Sequence, residues 1–274
     1  MSPVATGVLW YVYGIVPGDL SASTMPAGLD DASVSVERHA GVAALVSTLD
    51  AAAYAPALLE TSTGDVEWLS PRAVAHDLVL TWASDRGAVI PLPMFSLFSS
   101  REAVANMLEE RSSGLEATLT RVARGREYAL RVYRVDAELL DSIVGLSPRL
   151  KQLADTAASA SPGQRYLLER KLDGEKKIEM RSISAEVVDE IVSSLSEAAI
   201  EVVRSPISRT AGTDTVARGT MVLNAAFLVS PDSLEGFQRR LASLVDRHAS
   251  HGFRFDFTGP WPPYHFVGEG AHGA

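Results

Sequence analysis

The sequence predicts an α+β protein of two domains, each a sheet carrying helices, and three observations lead there. Its 274 residues suffice for two ordinary hydrophobic cores. β-branched and aromatic runs alternate with segments of helical period along the chain. After Ala123-Arg124-Gly125 that rhythm begins again in full, which divides the chain into residues 1–124 and 125–274.

Val8 to Val16 (VLWYVYGIV) reads as a strand buried on both faces, closed by Pro17-Gly18. Ser33 to Glu37 and Val42 to Thr48 follow as a hairpin turning at His39-Ala40-Gly41. Ala51 to Asp65 holds no period and is expected to be an irregular connection. Ser70-Pro71 reads as a helix start, with Val74, Leu78, Val79 and Trp82 as its buried stripe and Gly87 beyond its end. Ala88 to Leu92 is a short strand. Ser99-Ser100-Arg101-Glu102 then has capping-box spacing before a helix to about Val122, buried through Val104, Leu108, Leu115, Leu119 and Val122. The order β-β-β-α-β-α is expected to be a modified, elaborated form of the arrangement found in the second half.

That second half opens on Tyr128, Leu130 and Val132, which alternate as a half-buried strand does. Asp136 to Ala160 reads as a short helix and a Ser/Ala-rich excursion. Gln164 to about Ala199 is a long helix whose middle, Glu169-Arg170-Lys171 through Glu175-Lys176-Lys177 around Gly174, either projects into solvent or is broken. Glu201 to Ile207, a polar loop and Met221 to Val229 give two more strands. Ser230-Pro231 starts a helix, Gly252 closes it, and Phe253, Phe255 and Phe257 alternate in a last strand with their rings toward one core. The order β-α-β-β-α-β is that of a ferredoxin-like domain, with two split β-α-β units and a long first helix.

Beyond that strand, Gly259-Pro260-Trp261-Pro262-Pro263-Tyr264-His265-Phe266-Val267 is too rich in proline for a helix or a central strand. Its rings are expected to dock back onto the body, with Trp261 as the plug.

Composition narrows the function. A formal charge of −9 and a sequence pI near 5.2 disfavour nucleic acid, whose phosphates need a clustered basic surface. The absence of cysteine removes disulfides, thiolate metal sites and thiol nucleophiles. Residues 1–7 lack the pattern of an export signal and Val8 to Val16 is too short to span a bilayer, so the expected location is the cytoplasm, with no membrane partner.

No motif for phosphate or dinucleotide binding is present, nor Gly-x-Ser-x-Gly, and no pair of carboxylates suggests an acid and a base. His248, His251, Asp256 and His265 are residue types found in zinc sites. The simpler reading is a histidine meeting the negative end of a helix dipole, because Gly252 interrupts the turn. Asp173-Gly174-Glu175 reads as part of a solvated helix face. No enzyme, metal or cofactor is therefore expected; a small-molecule-binding or regulatory ferredoxin-like protein is an alternative reading, and an enzyme of unknown reaction comes third.

Five segments, in order, carry a resemblance. They are Trp10-Tyr11-Val12-Tyr13-Gly14-Ile15-Val16, Ile90-Pro91-Leu92-Pro93-Met94-Phe95, Gly163-Gln164-Arg165-Tyr166-Leu167-Leu168, Leu223-Asn224-Ala225-Ala226-Phe227-Leu228-Val229 and Thr258 to Val267. Together they resemble the gas vesicle protein F/L family, whose closing signature matches Gly259, Pro260, Trp261, Pro262, Pro263, Tyr264 and Phe266. The middle segment departs from the family pattern, with Pro93-Met94 before Phe95-Ser96 where an Arg and a Phe-Gly are usual. The resemblance implies two α/β domains and a non-enzymatic accessory or minor structural protein of gas vesicles. It also implies binding to the hydrophobic shell subunit and to other accessory proteins. For the closing tail, its place right after the last strand predicts a structural role.

Overall fold

In the computed structural model, which describes residues 7–207 and 219–268, the first sheet is organised around β1 (Val8–Pro17). Tyr11 to Val16 are buried without interruption, as expected of a strand covered on both faces. β1 pairs antiparallel with β3 (Val42–Asp50), which pairs with β2 (Ser35–His39) through the expected hairpin. β4 (Ile90–Pro91) and β5 (Leu97–Phe98) pair with β1 on its other side, giving the order β2-β3-β1-β4.

The β1–β3 register shifts between Val12 and Gly14, leaving Tyr13 as the extra residue of a bulge. The bulge brings the Tyr13 and Tyr11 rings to 4.7 Å, edge to face. Gly14 follows because the β4 backbone crosses there: a Cβ on it would lie 2.7 Å from the Ile90 carbonyl oxygen. Gly14→Ala should therefore lower the unfolding free energy by about 1–3 kcal/mol in urea denaturation. An unchanged midpoint would mean that β4 steps aside freely.

Three helices complete this unit: α1 (Pro56–Ser62), α2 (Val66–Ser84) and α3 (Arg101–Val122). The α1 turns lie where no structure is expected, since seven residues are too few to display a period. α2 begins four residues before Ser70, where the Asp65 side chain accepts from the Glu67 N–H, and Pro71 sits inside it. Proline's missing donor leaves the Glu67 carbonyl without its helical partner, and that single loss does not stop a helix already capped and started. α3 is as expected, with Ser100 accepting from the Ala103 N–H and all five apolar positions buried.

The second sheet has the order β7 (Glu201–Arg204), β8 (Thr220–Val229), β6 (Arg126–Arg134), β9 (Phe253–Trp261). With its first and third strands inside, this is the ferredoxin-like order. The first crossover is expanded to three helices, α4 (Asp136–Leu146), α5 (Pro148–Ser159) and α6 (Pro162–Ser196), and the second is α7 (Pro231–His248). The Ser/Ala-rich excursion is helical because Ser147 caps it and Pro148 takes the first position. α6 continues unbroken through Gly174. The polar loop expected after Ile207 lies, for residues 208–218, outside the described residues.

Phe253 is fully buried, while Phe255 and Phe257 are partly so and pack on the same core. Phe257 stacks on Tyr128 at 5.4 Å and on Phe237 at 5.8 Å. Gly252 ends the preceding turn at φ +87°, a conformation that a Cβ would strain.

Residues 128–259 form one compact unit, and residues 7–127 with 260–268 the other. The closing tail thus groups with the first unit, whereas a division into 1–124 and 125–274 assigns it to the second.

Candidate functional site

α2 carries apolar residues on more than one side. His76, Val79, Leu80, Trp82 and Ala83 are buried, while Val66, Val74 and Leu78 are 73%, 58% and 52% exposed. The stripe expected from sequence therefore has the wrong phase at Val74 and Leu78. A helix apolar on several faces gives a periodicity argument nothing to choose between them. Val66, Ser70, Val74 and Leu78 are spaced by four and form one ridge about 18 Å long at 1.5 Å per residue. Beside it opens a cavity of about 330 Å³ lined by Ala73, His76, Asp77, Leu92, Met94 and Tyr264, with Pro91 and Pro93.

The buried side of α2 is held by hydrogen bonds. Tyr11 Oη lies 2.6 Å from His76 Nδ1, and the ring also bonds the Leu92 backbone. The Leu92 N–H donates to the Tyr13 carbonyl, so His76 must donate to the Leu92 carbonyl and accept from Tyr11. Tyr11 Oη accepts from the Phe95 N–H and has its own hydrogen to donate to Nδ1, so a neutral imidazole satisfies both of its bonds. Burial pushes its pKa down to about 4 and outweighs the nearby Asp77 carboxylate, which pulls it up. Burial likewise raises the Tyr11 phenol far above its ordinary value, against a smaller opposing effect of its bond to the Phe95 backbone.

Nearer the start of α2, Arg72 pairs with Asp30 at 2.7 Å and lies 4.2 Å above the Trp68 ring. Tyr54 donates to Asp30 and accepts from Arg72; burial, then that aspartate, pushes its phenol to about 12. Phe95 completes the group, stacked 5.6 Å from Trp68 in the left-handed region at φ +65°. A side chain rarely adopts that conformation unless its surroundings hold it there. At neutral pH, then, His76 is neutral and these phenols are protonated. They fix the helix in place and offer no group poised to exchange a proton near pH 7.

The tail residues divide by burial. Pro262, Pro263, Phe266 and Val267 are buried, whereas Gly259, Pro260 and Tyr264 are exposed and Trp261 is 41% exposed. Trp261 is not the plug; Phe266 is, at 1% exposure. Glu127, itself buried, accepts from the His265 backbone N–H at 3.0 Å and meets His265 Nδ1 at 2.7 Å. Arg121 donates to the Phe266 carbonyl, and Tyr264 donates to Asp77 at 3.2 Å.

The remaining histidine candidates do not assemble. His248 meets Glu190 on α6 at 3.0 Å, and His265 belongs to the other unit and to Glu127. Among the described residues no three His, Asp or Glu side chains converge as a metal set would. Asp173 and Glu175 are taken up in ion pairs with Lys176 and Arg149. Among those residues, too, no helix is long and apolar enough to cross a membrane.

Sheet order and helix placement define an α+β protein of two units, the second ferredoxin-like, with an exposed apolar ridge on the first. The chain belongs to the gas vesicle synthesis protein GvpL/GvpF family, whose model matches residues 9–268. It is 26% identical to gas vesicle protein L of Streptomyces sp. (strain CB03234) over 97% of this chain and 95% of that one. With gas vesicle protein L1 of Halobacterium salinarum it shares 25% identity over 94% of this chain and 89% of that protein. Its fold is that of the crystal structure of gas vesicle protein GvpF from Anabaena sp. PCC7120, with a TM-score of 0.70 at 19% identity, covering 96% and 99% of the two chains.

Proposed function

We infer that this chain is a non-enzymatic accessory or minor structural protein of gas vesicles. It acts in the cytoplasm at the vesicle, binds the hydrophobic shell subunit and, with other gas vesicle proteins, supports assembly. The observation that carries the reading is the α2 ridge, with Val66, Val74 and Leu78 open to solvent on a helix whose other side is firmly anchored. A shell subunit apolar on one face exposes more apolar area than a free protein tolerates, and a partner with a matching apolar ridge covers it. Behind the ridge, burial holds His76 and Tyr11 neutral at pH 7, which suits a surface for binding.

The test is capture of shell subunit by the purified protein. Val74→Asp with Leu78→Asp should weaken capture roughly 10-fold or more and leave circular dichroism unchanged, since both positions are exposed. Undiminished capture would remove the ridge from the reading; no capture by the wild type, with normal vesicles in its absence, would remove the reading itself. The alternative of small-molecule binding rests on the cavity beside α2, whose volume is at the lower end for ligand sites. Ligand-dependent thermal stabilisation would favour it.

A further inference from the structure

Large exposed apolar residues are concentrated on two segments with opposite charge. One is the α1–α2 stretch already described, where Leu58 joins Val66, Val74 and Leu78. The other is the α5–α6 arm of the second unit, which exposes Tyr166, Leu167 and Ile178. Residues 50–78 carry Asp50, Glu60, Asp65, Glu67 and Asp77 against Arg72 alone, a net −4. Residues 148–182 carry eight Lys and Arg against five Asp and Glu, a net +3, which leaves −12 for the rest of the chain. All four lysines of the protein, Lys151, Lys171, Lys176 and Lys177, lie in that arm.

The two surfaces also match in form. Leu167 and Ile178 are eleven residues apart, three helical turns, so they share one face with Gly174 between them and span about 16 Å, close to the 18 Å of the α2 ridge. Among the described residues, apart from the helix's own backbone and the chain neighbours, nothing lies within 4 Å of where a Cβ on Gly163 or Gly174 would stand, so that face is open to a close approach. Arg170, Lys171 and Arg181 flank it by helical geometry, as Glu67 and Asp77 flank the α2 ridge. Among the described residues none of these three cations is in an ion pair, whereas Arg149 and Lys176, nearby, are paired. Among the described residues Glu67 and Asp77 likewise have no cation in an ion pair, Asp77 accepting from Tyr264.

We propose that the basic, apolar face of α6 around Leu167 and Ile178 in one molecule docks on the acidic α2 ridge of a second copy. The contact is head-to-tail, so each molecule offers one ridge and one arm, and repetition gives rings or open rows. Because it uses the ridge assigned above to the shell subunit, self-association shields that ridge until shell subunit displaces the arm. The self-contact needs no shell protein, so it and the shell-binding reading fail separately.

The experiment measures mass against concentration by light scattering and sedimentation on the full chain alone. Wild type should associate, less so as salt rises from about 50 mM to about 500 mM and screening tightens. V74D/L78D and L167D/I178D, all at exposed positions, should each raise the apparent Kd by roughly 10-fold or more. Mixed together, the two variants should form a 1:1 dimer that grows no further, since one retains the arm and the other the ridge. A wild type that stays monomeric at high concentration overturns the proposal, as does association unaffected by either double substitution. A mixture of the variants that stays monomeric overturns the head-to-tail pairing.

Discussion

Phe266→Ala should lower the unfolding free energy by about 3–5 kcal/mol, the range for emptying a buried aromatic site, while Trp261→Ala should cost no more than about 1 kcal/mol, as most exposed substitutions do. The proline-bounded tail invites the opposite expectation, because tryptophan is its largest apolar side chain. The structure assigns the work to the smaller ring: Phe266 is buried beside Val267, while Trp261 stands partly in solvent. Around Phe266 the backbone is tied on both sides, through the His265 N–H to buried Glu127 and through the Phe266 carbonyl to Arg121. Removing the ring opens a cavity in a place that fixed hydrogen bonds keep from collapsing, which puts the loss in the upper part of the range. Urea denaturation followed by circular dichroism reads both variants. Equal losses would mean that the tail packs through Trp261 after all.

The sheets were legible in the sequence for a local reason. β1 and β9 are dense in β-branched and aromatic residues, β3 and β8 carry apolar runs, Ser100 and Ser230 start α3 and α7, and Gly252 closes the turn after α7, where the chemistry of helix ends requires. The α2 ridge was hidden for a reason equally local. Val74 and Leu78 fit a buried stripe as well as His76, Val79 and Leu80 do, and only the long-range bonds of His76 to Tyr11 and Leu92 settle which face turns inward. The bond to Tyr11 joins residues 65 positions apart, beyond the reach of any sequence window. The pairing of Glu127 with His265 spans 138 positions and was invisible for the same reason. Each hidden contact is polar and long-range, whereas each legible element is apolar or capped within a few residues.

The His76 anchor makes stability depend on pH in a defined window. Its pKa is about 4 in the folded protein, lowered mainly by burial, against about 6.5 for an exposed histidine in the unfolded chain. Between those values the unfolded state binds the additional proton, so unfolding becomes easier as pH falls. The stability due to a neutral His76 is complete above pH 6.5, declines from there to about 4 and is gone below, a loss on the order of 3 kcal/mol. His248, whose pKa burial also lowers, acts in the same direction and remains in every His76 variant. The measurement is urea stability at a series of pH values for wild type and His76→Gln, comparing slopes because the variant also disturbs Tyr11. The wild-type curve should fall more steeply than the variant's between pH 6.5 and 4, and the two should run parallel above and below. Parallel curves throughout would mean that the imidazole is accessible to protons and does not lock α2. If it does lock α2, ridge binding should weaken in mild acid before the second unit unfolds, because protonating His76 removes the acceptor that Tyr11 uses to hold the helix.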